Sequence, residues 1–144
     1  MTIEENKESI RRWVETGWNN GDFSLLDELY TSDYLPHWVP EGVPANREGL
    51  RQFVMAYRQG MPDLRFTIDD LIGEGDKVVW RFTATGTHTG VLFGVPPTHR
   101  SASVTGTVTA RFQDGKYAED WVNFDQFGLL VQLGVIPQPE PVGA

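Results

Sequence analysis

Apolar residues in the first sixty positions recur at the spacing of amphipathic helices. The pattern predicts one helix over about residues 3–19, a short second helix from Asp22 with Tyr30 on its apolar side, and a third helix capped by Asn46. Three prolines fall within the segment 34–44 and predict an ordered loop before the third helix. The N-terminal part of the chain is therefore expected to be helical.

From residue 64 onward the period of the pattern changes to two, as in β-strands. Four alternating segments follow one another, LRFTIDDLIG, KVVWRFTATGTHTG, SASVTGTVTARF and KYAEDWVNFD. A turn at Asp114-Gly115 predicts a hairpin between the last two, and FGLLVQLG predicts a short terminal helix. Helices followed by a largely antiparallel sheet indicate an α+β fold, with a single domain over residues 1–136 and a flexible tail over 137–144.

Strand alternation divides the sheet residues into two faces. The apolar face, which is expected to pack against the helices, contains two ionisable side chains, His88 and Asp120. The other face is rich in Thr, Arg and Glu but also carries Trp121, and alternation places Tyr117 there too. A mixed face of this kind suits a wet subunit interface. We expect a homodimer through this face, with contacts from Arg81, Thr107, Glu119 and Trp121.

Charge and composition narrow the classes of partner. Lys and Arg total 12 against 20 Asp and Glu, a net charge of −8, which argues against binding to nucleic acid or to an anionic membrane surface. No apolar run approaches the ~20 residues of a membrane span, and the acidic N-terminus does not resemble a signal peptide. We therefore expect a cytoplasmic protein.

The sequence offers little for a metal or a cofactor. Cysteine is absent, which excludes disulfides and thiolate nucleophiles, and the three histidines lack the HxH or HxxxH spacing of a ligand set. There is no GxSxG elbow and no phosphate-binding glycine loop. His99 follows a PPT turn and is expected at the surface. We expect neither a metal nor a cofactor.

A carboxylate on the apolar face of a strand is a candidate functional acid or base. Burying such a group costs several kcal/mol unless it is paired or protonated, so the position of Asp120 requires an explanation. General acid–base catalysis is one explanation, and a structural hydrogen bond to a neighbouring side chain is the other. His88 alone is more often structural, although contact with Asp120 would favour catalysis.

Several motifs, in the order and spacing of one family, carry a more specific signal. They are NREGLRQFV, PDLRFTIDDLIGEGDKVVWRF, GTHTG, FGVPPTHR, DGKYAEDW and FDQFGLLVQLG, from about residue 46 to residue 136. In these motifs the chain resembles the SnoaL-like polyketide cyclases of the nuclear transport factor 2-like superfamily. The resemblance implies a curved sheet wrapped by helices into a cone, a deep apolar cavity, and a dimer through the convex sheet face.

The resemblance also implies a reaction. The family's cyclases close a ring by an intramolecular aldol reaction without metal or cofactor: a carboxylate removes a proton beside a carbonyl, and polar groups hold the enolate. The usual Asp and His positions of the family are matched here by Val122 and Val108, which carry no titratable proton. Asp120, on the same face as Val122, is the expected replacement, with His88 and His37 as its partner or as oxyanion donors.

The remaining expectations concern the ligand and the activity. The expected ligand is a hydrophobic small molecule, carbonyl-bearing or polycyclic, such as a polyketide. The side chains expected to bind it are Trp18, Tyr30, Tyr34, Trp38, Met55, Trp80, Phe82, Val108, Val122 and Phe124. The first hypothesis is a cofactor-independent acid–base enzyme of cyclase, isomerase or lyase type. The alternatives are a non-catalytic binding protein on the same fold and, less favoured, an epoxide hydrolase, for which the sequence offers no clear arginine partner.

Overall fold

The computed structural model describes residues 2–143, in which helices pack against one face of a curved sheet. The helices are α1 (Ile3–Trp13), α2 (Leu26–Leu29), α3 (Arg47–Gly60) and α4 (Gln126–Gln132), and a π-helical turn (Val14–Trp18) continues α1. The strands are β1 (Tyr30–Pro36), β2 (Arg65–Glu74), β3 (Lys77–Thr87), β4 (Ser101–Gln113) and β5 (Lys116–Phe124).

Side-chain caps begin the longer helices, and the one at Asn46 is the cap that the sequence predicts. The Thr2 side chain accepts from the backbone N–H of Glu5 at 3.1 Å, and the Asn46 side chain accepts from that of Gly49 at 3.0 Å. Each bond satisfies one of the N–H groups that the first turn of a helix leaves without a partner. The first predicted helix is therefore confirmed over 3–13 as α-helix and over 14–18 as the π-helical turn.

The sheet has the order β1-β5-β4-β3-β2. The pairs β2–β3, β3–β4 and β4–β5 are antiparallel, as the turn signals predict, and β1 is parallel to β5. The inward side chains of the central strands are buried beneath the helices, whereas their outward threonines are exposed or partly exposed. This α+β cone confirms the expected fold class.

Strand β1 corrects two expectations about the N-terminal half. The second helix is a single turn, and Tyr30 begins a strand instead of lying on that helix. The predicted loop begins later than expected, because Leu35 and Pro36 pair with Glu119 and Asp120 of β5. Pairing between segments so far apart in sequence overrides the local preference of the chain.

A bulge in β5 corrects the strand alternation. Phe112 pairs with Tyr117 and Arg111 pairs with Glu119, so Ala118 is the extra residue. Tyr117 consequently faces inward and is buried, although simple alternation places it on the outer face. The ring of Tyr117 lies 5.3 Å from that of Phe112, measured between ring centroids.

Candidate active site

The cone encloses an apolar cavity between the sheet and the helices. The volume open to the centre of a water-sized sphere is about 80 Å³. Aromatic rings dominate the wall, with Trp13, Trp18, Tyr30, Trp38, Phe53, Tyr57, Phe66, Trp80, Phe82, Tyr117 and Phe124 around it. Among the described residues that line it, Asp120 is the sole ionisable group other than tyrosine.

The Asp120 carboxylate is held in the wall by three neutral donors. Tyr34 donates its hydroxyl to Oδ1 at 2.7 Å, and the Trp38 indole N–H donates to the same oxygen at 2.7 Å. Tyr117 donates its hydroxyl to Oδ2 at 2.6 Å. Asp120 is only 4% exposed, so this hydrogen bonding replaces water and fixes the orientation of the carboxylate.

Burial is the main influence on the proton affinity of Asp120. Burial raises the pKa of Asp120 above its ordinary value, and the hydrogen bonds from Tyr117, Tyr34 and Trp38 partly oppose that change. Burial together with the Asp120 charge raises the pKa of Tyr34 and Tyr117 well above the ordinary value of tyrosine. These hydroxyls therefore stay protonated and continue to donate to the carboxylate.

The supporting side chains come from three different segments. β1 provides Tyr34, the loop after β1 provides Trp38, and the bulged start of β5 provides Tyr117. The Trp80 indole N–H of β3 in turn donates to the Tyr117 hydroxyl at 3.4 Å. The parallel pairing of β1 with β5 is what brings these segments to Asp120.

His88 is fully buried, and its side chain holds a loop instead of contacting Asp120. Its ring Nδ1 accepts from the backbone N–H of Thr98 at 3.3 Å and lies 3.0 Å from the Thr98 hydroxyl. Its backbone N–H donates to the Arg100 carbonyl at 2.9 Å. His88 is not among the residues that line the cavity, and no hydrogen bond joins it to Asp120 within residues 2–143. These contacts fasten the connection between β3 and β4.

His37 places its ring on the outer face of the sheet. Its Nε2 lies 2.7 Å from a carboxylate oxygen of Glu119, and its ring stacks on Trp121 with centroids 4.8 Å apart. Only the backbone of His37 contacts Asp120, through an N–H that donates to the Asp120 carbonyl at 3.0 Å. The structure thus brings neither histidine side chain to the carboxylate.

Most of the other predicted site residues do surround the cavity. Those that line it are Trp18, Trp38, Trp80, Phe82, Val108, Val122, Phe124 and Tyr30. Tyr34 lies behind the wall, where its hydroxyl is used on Asp120. Met55 lies on the partly exposed side of α3, beside Arg51, and does not line the cavity. His99 is exposed, as expected.

Sequence reasoning missed Tyr117, which is central to the site. A usable signal was present in the hairpin, because a two-residue Asp-Gly loop pairs Gln113 with Lys116 and Phe112 with Tyr117. Residues directly opposite each other share a face, so Tyr117 belongs with the inward Phe112. Tyr57 of α3 was also missed as a wall residue.

A buried acid in an aromatic cavity inside an α+β cone defines a protein of the nuclear transport factor 2-like fold. The sequence model of the SnoaL-like polyketide cyclase family matches residues 8–133. The chain belongs to this family. No curated protein sequence matches the chain significantly.

Solved structures agree with this assignment. TsrD from Streptomyces laurentii is 29% identical with a TM-score of 0.86, and the alignment covers 94% of this chain and 99% of TsrD. IdmH from Streptomyces antibioticus, a proposed polyketide cyclase, is 32% identical with a TM-score of 0.77, covering 90% and 98% of the two chains. A SnoaL-like polyketide cyclase from Agrobacterium tumefaciens, 19% identical with a TM-score of 0.73 and coverage of 90% and 98%, shares the fold.

Proposed function

We propose that the protein is a cofactor-independent acid–base enzyme, of cyclase or isomerase type, in which Asp120 removes a proton beside the carbonyl of a hydrophobic small molecule. The observation that carries the proposal is a carboxylate built into the wall of an apolar cavity whose lining, within residues 2–143, contains no Lys, Arg or His. Burial raises its pKa toward the range in which a carboxylate is an effective base.

The hydrogen bonding of the carboxylate favours Oδ2 as the basic atom. Oδ1 accepts two hydrogen bonds and Oδ2 accepts one, so Oδ2 keeps a lone pair free of protein donors. In the proposed step the C–H bond breaks, its proton passes to Oδ2, and its electron pair moves into the carbonyl to form an enolate. Attack of the enolate carbon on a second carbonyl of the substrate closes a ring, and the resulting alkoxide takes the proton back from Asp120, which regenerates the carboxylate. Return of the proton to another carbon instead isomerises the substrate.

One alternative is a binding protein without catalysis. Val108 and Val122, at the positions where the family resemblance implies the usual His and Asp, support this alternative. In that case the three donors would make Asp120 a fixed polar contact for a ligand. An epoxide hydrolase has less support, because no arginine is among the lining residues in the described chain.

Exchange of ketone protons for deuterium tests the proton-transfer step without knowledge of the natural substrate. The probes are 1-indanone and 2-tetralone, incubated with the protein in D₂O and followed by NMR. Asp120→Asn retains the shape of the side chain but removes the base, so we expect the catalysed exchange rate to fall by ~10²–10⁴-fold. The matched variant Asp33→Asn, at an exposed position of β1, should exchange like the wild type.

The alternatives predict different results from the same samples. A binding protein predicts that the wild type binds the ketones but accelerates exchange no more than Asp120→Asn does. Thermal melts of both variants establish that they are folded. Equal exchange by wild type and a folded Asp120→Asn would exclude Asp120 as the base.

The remaining parts of the proposal concern assembly and location. We propose a homodimer through the outer sheet face, where Arg81, Thr107, Glu119 and Trp121 present a mixed polar and aromatic surface. No helix within residues 2–143 is long and apolar enough to cross a membrane. A cytoplasmic location stays a prediction.

A further inference from the structure

The Tyr30 hydroxyl lies in the wall beside the tyrosines that hold Asp120, and it makes no hydrogen bond within residues 2–143. Three tyrosines are packed together at this end of the cavity, and two of them, Tyr34 and Tyr117, donate to the carboxylate. Tyr30 lines the cavity and is 1% exposed, yet its hydroxyl has no hydrogen-bond partner within residues 2–143. The Tyr30 hydroxyl is not among the fully buried polar atoms without a partner, so it keeps surface open to the cavity, where a ligand can accept from it.

Packing places the Tyr30 ring against the two tyrosines that donate to the carboxylate. The Tyr30 ring lies 4.5 Å from the Tyr117 ring and 4.8 Å from the Tyr34 ring, between centroids. Burial and the charge of Asp120 raise the pKa of Tyr30 well above the ordinary value. Tyr30 therefore stays a neutral hydrogen-bond donor near neutral pH.

Tyr57 is the other tyrosine of the wall whose hydroxyl has no partner in the described chain, but its surroundings differ. Its ring packs against Phe53 and Phe93, and the Phe93 side chain is 54% exposed. Tyr57 thus lies toward the solvent side of the cavity, whereas Tyr30 lies among the residues that hold Asp120. Of these two tyrosines, Tyr30 is the one packed against the side chains that hold the candidate base.

We propose that Tyr30 donates its hydroxyl to the carbonyl oxygen of the ligand and stabilises the enolate that Asp120 generates. This inference rests on the proposed function of Asp120. A base and a donor in the same corner can hold the two ends of one enolisable group, the C–H and the adjacent carbonyl. Tyr30 thus takes the oxyanion role that the sequence suggested for His37 and His88.

The cavity also restricts the ligand. The volume open to the centre of a water-sized sphere is only about 80 Å³, so the space favours a ligand of one ring or two fused rings over a larger polycyclic one. No Lys, Arg or His is among the described lining residues, so a buried carboxylate disfavours an anionic ligand. The ligand class is a small, neutral, apolar ketone.

Binding of a matched pair of compounds tests the hydrogen bond. 1-Indanone and indane differ by the carbonyl oxygen, and both report through quenching of the tryptophans in the wall. We expect the wild type to prefer 1-indanone, and Tyr30→Phe to lose that preference by roughly 3- to 10-fold, the value of one hydrogen bond. The same variant should slow deuterium exchange into 1-indanone by ~10²-fold or more, the usual effect of removing an oxyanion donor.

Thr31→Val is the matched control on the same strand. The Thr31 hydroxyl has no hydrogen-bond partner in the described chain either, but it is fully buried and Thr31 does not line the cavity. Its removal should change neither the preference nor the exchange rate. Because Tyr30→Phe keeps the ring and breaks no protein hydrogen bond, we expect it to melt at or above the wild-type temperature.

The outcomes separate this inference from the proposed function. An unchanged preference for 1-indanone in folded Tyr30→Phe would overturn the role of Tyr30 whatever Asp120 does. A lost preference together with exchange that is insensitive to Asp120→Asn would support Tyr30 as a ligand contact and reject Asp120 as the base. Failure of the wild type to bind either compound would overturn the ligand class.

Discussion

At the scale of single residues, the neutral environment of Asp120 matters most. A buried carboxylate paired with Arg or Lys has its charge compensated, and its proton affinity falls. Here two hydroxyls and one indole N–H hold the group, so the oxygens are oriented while burial still favours the protonated form. Such a carboxylate can accept a proton from carbon more readily than an ion-paired one.

The raised pKa of Asp120 gives a stability prediction with a definite sign. Because the folded-state pKa lies above the ordinary value of 3.8, the unfolded chain ionises first as the pH rises. The contribution of Asp120 to the free energy of unfolding is therefore fully present below that value and is lost as the pH rises through the folded pKa. We expect the free energy of unfolding of the wild type, minus that of Asp120→Asn, to decrease as the pH rises over this window and then to become constant.

Urea unfolding of both proteins, in steps from about pH 3 to about pH 8, measures that difference. Glu119 and Asp63 have lowered pKa values, because of hydrogen bonds from His37 and Arg111 to the first and from Thr87 to the second. Their stabilisation is lost as the pH falls, which is the opposite sense. Both groups are present in wild type and variant, so they cancel in the difference. If the free energy of unfolding of the wild type increased with pH relative to that of Asp120→Asn, the raised pKa of Asp120 would be contradicted.

The sequence alone was sufficient to place Asp120 on the inner face, because period-two alternation holds along β5 from Glu119 onward. The sequence was not sufficient to predict which side chains donate hydrogen bonds to the Asp120 carboxylate. Tyr34 depends on a parallel strand pairing and Tyr117 on a bulge, and neither follows from alternation. The two histidines were assigned roles through the resemblance, whereas their side-chain contacts are to Thr98 and Glu119.

At the scale of elements, the β4–β5 hairpin sets the geometry of the site. Asp114 and Gly115 have φ values of 51° and 80°, the pairing geometry of a two-residue loop. This loop fixes Tyr117 opposite Phe112, and the bulge at Ala118 then restores the inward direction of Asp120. Two inward groups, a phenol and a carboxylate, are thereby brought within hydrogen-bond distance on one strand.

Gly106 in the middle of β4 allows the aromatic wall to close. A Cβ at this position would overlap the Phe82 ring and lie 2.8 Å from the Phe124 Cβ. We expect Gly106→Ala to lower the free energy of unfolding by about 1–3 kcal/mol through overpacking. Thr105→Ala, at the exposed neighbouring position, should change it by less than about 0.5 kcal/mol. If urea unfolding showed equal changes in the free energy of unfolding for the two variants, the wall would have space for the added methyl group.

At the scale of the whole molecule, the two faces of the sheet have separate chemistry. The inner face lines the cavity, and the outer face carries ion pairs such as Arg81–Asp70, with a 2.7 Å separation, and Arg111–Glu119. Alternation was enough to predict this division. Neither the size of the cavity nor the order of the strands follows from alternation, since both depend on how β1 and the helices close the cone.

Trp121 is the residue through which assembly can be tested. It is 38% exposed on the outer face of β5, and its ring stacks on that of His37. A stable dimer through this face should bury more than ~1,000 Å² in total, with Trp121 as an anchor. We expect a dimer by light scattering at micromolar concentration, and Trp121→Asp should weaken it by at least about 30-fold. Val91→Asp, at an exposed apolar position between β3 and β4, should leave the dimer intact. A monomeric wild type would show that the outer face is not an interface. Equal weakening by both variants would show the same, because of the two substituted positions Trp121 lies on that face and Val91 does not.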